Sequence, residues 1–91
     1  MTVSDRKVIR KPEFRLEKMD NELLLFNPYT TNVIYLNETA SIIWQLCDGK
    51  LSIDEITRLL IDAYPESSDT IEKDVGETIK FFINNETVLL Q

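Results

Sequence analysis

A chain of 91 residues with ten basic and sixteen acidic side chains, a net charge of −6 and no histidine is sized for one small core and lacks the commonest general base and metal ligand. The lone Cys47 cannot build a thiolate zinc site or an internal disulfide, and two glycines, Gly49 and Gly76, cannot form a phosphate-cradling glycine loop. The carboxylates are spread over helix faces and caps and read as solvated surface, so the composition takes away most of the usual tools of catalysis and of metal binding.

The longest apolar runs, Leu23–Phe26 and Leu59–Ile61, fall well below the roughly 20 residues of a membrane span. No apolar stretch follows the basic N-terminal residues, so the chain does not read as secreted, and a cytoplasmic location without membrane partners is expected. Arg6, Lys7, Arg10 and Lys11 stand against Asp5 in the first eleven residues, which read as a flexible basic arm (residues 1–11) before an ordered domain over residues 12–91.

Phe14 and Leu16 alternate with Arg15 and Glu17, Asp20-Asn21 supplies a turn, and Leu23–Phe26 completes a hairpin that Asn27-Pro28 breaks. A third strand over Thr31–Leu36, rich in β-branched and aromatic residues, makes an antiparallel meander. Alternation puts Val33 and Tyr35 on one face and Ile34 and Leu36 on the other, and we assign the second pair to the core.

Asn37 caps a first helix over Glu38–Asp48, with Ala40, Ile43, Trp44 and Cys47 at helical spacing and Gly49 as its stop. Cys47 thus falls on the packed side and reads as a buried thiol. Ser52 and Glu55 form a capping box for a second helix, whose apolar residues are Ile53, Ile56, Leu59, Leu60 and Ala63 and which ends near Tyr64, before Pro65. Asp69 with Glu72 repeats the capping logic for a third helix, carrying Ile71, Val75, Ile79 and Phe82 as far as Asn84-Asn85. Gly76 lies inside that helix, and Asn85 or Glu86 stands where a terminating glycine is expected. Thr87–Leu90 reads either as a short strand or as an apolar tail.

Three strands followed by three helices give an α+β, winged helix-turn-helix-like fold, an arrangement best known for DNA binding. The third helix presents Glu72, Asp74 and Glu77 beside only Lys73 and Lys80, which opposes phosphate contact. A winged-helix nucleic-acid-binding regulator is therefore the second reading, and a homodimer joined through the free strand edge the third.

The passage Leu36-Asn37-Glu38-Thr39-Ala40, Ile43-Trp44, Cys47-Asp48-Gly49 and Ser52-Ile53-Asp54-Glu55-Ile56, with Leu24-Leu25, Tyr64 and Asp74-Val75 around it, resembles the PqqD family. These are small peptide chaperones of pyrroloquinoline quinone (PQQ) biosynthesis, with relatives that serve as recognition elements for other ribosomally made, modified peptides. The resemblance implies a non-catalytic carrier, needing no cofactor of its own, that takes the leader of a precursor peptide as an added strand and presents it to a modifying enzyme, in the quinone pathway a radical S-adenosylmethionine (SAM) enzyme. Carried onto this chain, the strand edge is Thr31, Asn32, Val33, Ile34, Tyr35 and Leu36, and the helix wall draws on Asp74, Val75, Thr78 and Phe81. Phe81 lies off the core line of its helix, so it meets either a ligand or a terminal segment of the chain. Lys73 and Lys80 would attract an acidic leader, or else are solvated surface.

Overall fold

The computed structural model describes residues 5–91. In chain order it contains β1 (Lys7–Arg10), β2 (Arg15–Met19), β3 (Glu22–Asn27), β4 (Asn32–Leu36), α1 (Glu38–Leu46), β5 (Asp48–Ser52), α2 (Ile53–Ala63), a 3-10 turn (Pro65–Ser67), α3 (Ser68–Asn84) and β6 (Val88–Leu90). The α+β architecture with antiparallel strands and three helices is as expected. The single sheet is not: there are two sheets of three strands, ordered β2-β3-β4 and β5-β1-β6.

The meander forms for the reasons its sequence gives. Met19 pairs with Glu22, and the two residues between them, Asp20 and Asn21, both take positive φ (50° and 70°), the backbone of a tight hairpin turn matched to strand twist. The Asn27 side chain accepts the Tyr29 N–H at 2.9 Å, folding the chain back toward β4. Thr31 has a φ of 59° and belongs to that turn, so the strand expected to begin at Thr31 begins at Asn32. Leu36 is buried and Ile34 half-buried against the core, whereas Val33 and Tyr35 face outward, which is the assignment alternation favoured.

The second sheet overturns the mobile-arm expectation for residues 7–10; residues 1–4 lie outside the described residues. β1 is the central strand between β5 and β6, and Val8 is fully buried. Its basic residues have structural partners. Arg10 donates through Nη1 to the Trp44 and Gln45 carbonyls at 3.2 and 2.6 Å, placing a cation at the C-terminal end of α1, where the helix dipole is negative. Lys7 Nζ donates to Glu55 Oε1 at 2.8 Å. A local sequence scan has no means of foreseeing these partners, because they lie 34 to 48 residues away along the chain.

α1 begins as expected, with the Asn37 side chain accepting the Ala40 N–H at 2.7 Å, but it ends at Leu46. Gly49, with φ of 84°, is not the helix stop: it sits in β5, where the pairing with β1 shifts register and a Cβ would come within 3.0 Å of Ile9 Cδ1. The α1–α2 connection is thus a strand, in place of the short turn of a helix-turn-helix. The capping box of α2 is complete: the Glu55 N–H donates to Ser52 Oγ at 3.1 Å, and the Ser52 N–H to Glu55 Oε1 at 2.9 Å. Leu59 and Ala63 are exposed, so the packed stripe of α2 is the buried Ile56 and Leu60 with the half-buried Ile53 and Ile61 beside them.

The Asp69 cap of α3 is also corrected, since the helix begins one residue earlier at Ser68 and its N-cap Ser67 makes no side-chain cap bond. At the other end Asn85 keeps a negative φ, and Glu86 takes the left-handed position (φ 57°). Its N–H donates to the Ile83 carbonyl and that of Thr87 to the Phe82 carbonyl, both at 3.0 Å, closing a Schellman motif on a non-glycine residue. Thr87 is buried, and β6 follows, so the C-terminal segment is a strand. One core joins the layers: Val8, Leu25, Leu36, Ile43, Trp44, Ile56, Val75, Ile79 and Phe82 pack together, with Trp44 edge-on to Phe82 at 5.4 Å between ring centroids.

Candidate functional site

Among the described residues β4 pairs only with β3, so its other side is a free sheet edge with backbone donors and acceptors open to a further strand. Asn32, Val33 and Tyr35 are exposed along it, Tyr35 at 65 %. Leu36 ends the strand inside the core and Asn37 leads straight into α1. The edge therefore terminates at Glu38 and Thr39, the first turn of α1.

Across from that first turn lies one flank of α3. Glu38, Thr39 and Ile42 of α1 and Thr70, Ile71 and Asp74 of α3 line a cavity of about 340 Å³ together with Leu60, Tyr64 and Ser67. Helical rotation of about 100° per residue puts Ser67, Thr70, Asp74, Thr78 and Phe81 along a single line within about 40° of Asp74. The flank that faces α1 at Asp74 thus continues two turns on to Phe81. Phe81 is 42 % exposed, its ring 6.0 Å from that of Phe82, and Thr78 is half-buried.

Of the residues assigned from sequence, the structure brings Asn32–Leu36 to one edge and Asp74, Thr78 and Phe81 to one flank of α3. Two are placed elsewhere. Val75 is 1 % exposed inside the core and has no side chain to offer a ligand, and Thr31 lies in the preceding turn. Sequence reasoning missed Glu38, Thr39, Ile42, Tyr64 and Thr70 as neighbours of Asp74; the four-residue step from Thr70 to Asp74 was a signal for one of them, but the α1 and α2 residues join only through tertiary packing.

A larger concavity of about 650 Å³ lies between the sheets, walled by Ile9, Arg10, Lys11, Phe14, Leu16 and the C-terminal end of α1. It contains no reactive thiol: Cys47 at its base is buried, donates to the Ile43 carbonyl at 3.2 Å, and is pushed by burial up to about 12, with Arg10 pulling the other way. Asp48 beside it is held below the usual carboxylate range, first by the Lys50 backbone N–H that it accepts at 2.8 Å. Among the described residues no group of three or more His, Cys, Asp or Glu is placed to hold a metal ion, and no helix is long and apolar enough to cross a membrane.

A small α+β domain with a free strand edge beside a helix flank is an architecture that can take an extended peptide, and its fold is found in solved structures of that kind. A lasso peptide synthetase B1 complexed with its leader peptide superposes with a TM-score of 0.73 at 20 % identity, covering 91 % of this chain and 98 % of that one. TbiB1 in complex with the TbiA(beta) leader peptide gives 0.69 at 21 % identity over 88 % and 93 %. At that identity the likeness is one of fold. The profile of the family described as "Coenzyme PQQ synthesis protein D (PqqD)" matches residues 22–86, and the chain belongs to this PqqD family. It is also 40 % identical over 57 residues to the "PqqA binding protein" of Methylococcus capsulatus (strain Bath), a match that takes in 63 % of this chain and 59 % of the relative's length.

Proposed function

We propose that the chain is a non-catalytic peptide chaperone, which binds the leader of a ribosomal precursor peptide as a strand added to β4 and presents it to a modifying enzyme, a radical SAM enzyme in the PQQ pathway or a related one. The observation that carries this reading is the free edge of β4 running into the α1–α3 cavity, with the exposed Phe81 further along the same α3 flank. Membership of the PqqD family, a relative named for binding PqqA, and two fold neighbours solved with leader peptides support it. In this scheme main-chain pairing along Asn32–Leu36 supplies affinity, and side chains alternating toward α3 supply selectivity. Holding the peptide beside its enzyme raises its effective concentration, so a protein without catalytic groups controls the reaction. The acidic surface of α3, with Glu72, Asp74 and Glu77 all exposed, argues against the nucleic-acid alternative.

The test is fluorescence anisotropy of labelled leader peptides from PqqA-type precursors. Binding that changes little between low and high salt, and that weakens by about 1 kcal/mol or more in Phe81→Ala with the thermal midpoint unmoved, is the expected result. As a control, Phe82→Ala, fully buried one residue on, destabilises the fold by about 3–5 kcal/mol. Unchanged affinity in a folded Phe81→Ala protein removes the groove from this position. Duplex DNA binding with a steep salt dependence, in the absence of leader binding, establishes the other reading.

A further inference from the structure

We infer that the cavity between α1, α2 and α3 is a specificity pocket for one cationic side chain, a Lys or Arg, of the bound peptide. The inference rests on the leader-binding reading and adds the chemistry of what is selected. An extended peptide paired along β4 and continuing past Leu36 arrives at Glu38 and Thr39, which line this cavity. Its volume of about 340 Å³ is at the small end of the about 300–1,000 Å³ usual for ligand pockets, suited to one long side chain rather than a cofactor.

The lining matches the two halves of such a side chain. Ile42, Leu60 and Ile71 provide apolar wall for a methylene stem, and Glu38 and Asp74 provide carboxylates for a charged head. Neither carboxylate is ion-paired, since the ion pair found among the described residues is Lys7–Glu55, remote from this cavity. The N-termini of α1 and α3 both oppose a cation here, through Glu38–Thr39 and Ser67–Thr70, but each helix end amounts to roughly +0.5 charge, and at α1 the Asn37 side chain already takes up the Ala40 N–H. The two carboxylates outweigh the pair of helix ends.

Lys73 and Lys80, read from sequence either as attracting an acidic leader or as solvated surface, lie about 100–120° around α3 from Asp74. They do not reach this cavity, whose lining contains no basic residue. The cavity itself is therefore negative, while Lys18 shares a neighbouring concavity with Glu38.

The probe is a phage-displayed library of random 12-residue peptides, panned on the wild-type protein, with one selected peptide then synthesised in two forms, its Lys and a norleucine at that position. Enrichment of Lys or Arg at a fixed register is expected. The norleucine form should bind the wild type about five- to tenfold more weakly, while Asp74→Asn and Glu38→Gln, both exposed positions, should shrink that difference, and Asp74→Lys should shift selection toward Asp or Glu. Selected peptides that lose affinity in Phe81→Ala yet show no preference for a basic residue overturn the pocket and leave the groove standing. Failure of any peptide to be selected overturns the leader-binding reading, and the pocket falls with it.

Discussion

Glu86 occupies a backbone position that suits glycine. Its φ of 57° places its Cβ against the carbonyl in the left-handed region, and no hydrogen bond of its side chain offsets that cost among the described residues. Glu86→Gly keeps the Schellman bonds, which are all main-chain, and should raise stability by about 1 kcal/mol after allowance for the greater entropy of glycine in the unfolded chain. Chemical denaturation reads this as a higher midpoint at constant slope; a lower midpoint would mean that the Glu86 side chain contributes something its surroundings do not reveal. The sequence flagged the missing glycine correctly but could not choose between Asn85 and Glu86, because the choice depends on where β6 must start to reach β1. Phe81 and Phe82 show a similar split: adjacent and alike in composition, they are 42 % and 0 % exposed, and helical periodicity alone separates them.

At the scale of elements, β1 departs furthest from what its sequence suggests. Four residues with two cations among them read as solvated arm, yet the strand is the middle of its sheet, its Arg10 N–H donates to the Cys47 carbonyl at 2.9 Å, and Lys11 N–H to that of Thr87 at 3.0 Å. It therefore ties the end of α1 to the segment after α3. A variant lacking residues 1–10 should lose its cooperative thermal transition, because removing a central strand and the fully buried Val8 exposes β5 and β6 and costs a large part of the about 5–15 kcal/mol that holds small domains together. Circular dichroism melting checks this, and an unchanged melt would show β1 to be dispensable. β1 and β6 both lie outside the residues 22–86 that carry the family match.

For the molecule as a whole, Glu55 and Asp48 shape the acid limb of stability and Cys47 the alkaline one. Glu55 is drawn from 4.5 down to about 2, first by the Lys7 ammonium hydrogen-bonded to it and then by Ser52. The unfolded chain binds a proton on this residue where the folded one does not, so stability falls as pH drops from about 4.5 toward about 2, and Lys7→Met should flatten that limb. Cys47 acts in the opposite direction: held up at about 12 against 9.0 by burial, it keeps its proton in the fold and loses it on unfolding, so stability falls as pH rises from about 9 toward 12. Cys47→Ala should flatten the alkaline limb. Thermal midpoints measured across pH test both; an acid limb unchanged in Lys7→Met would separate Glu55 from the Lys7 contact.

Local signals in the sequence determined the hairpin, the β4 alternation, the Asn37 cap, the Ser52–Glu55 capping box and the 3.6-residue stripe of α3, because each depends on residues within a few positions of one another. The absence of histidine took away the commonest general base, and the acidic third helix argued against nucleic acid. Only the tertiary structure decided that the basic N-terminal residues form a central strand, that Gly49 serves a bulge facing Ile9, that Val75 is closed to ligand, and that Glu38 and Asp74 share a cavity. Each of these depends on a partner tens of residues distant. Strand pairing and helix packing across such separations are fixed by the burial of the whole core, which no local pattern encodes.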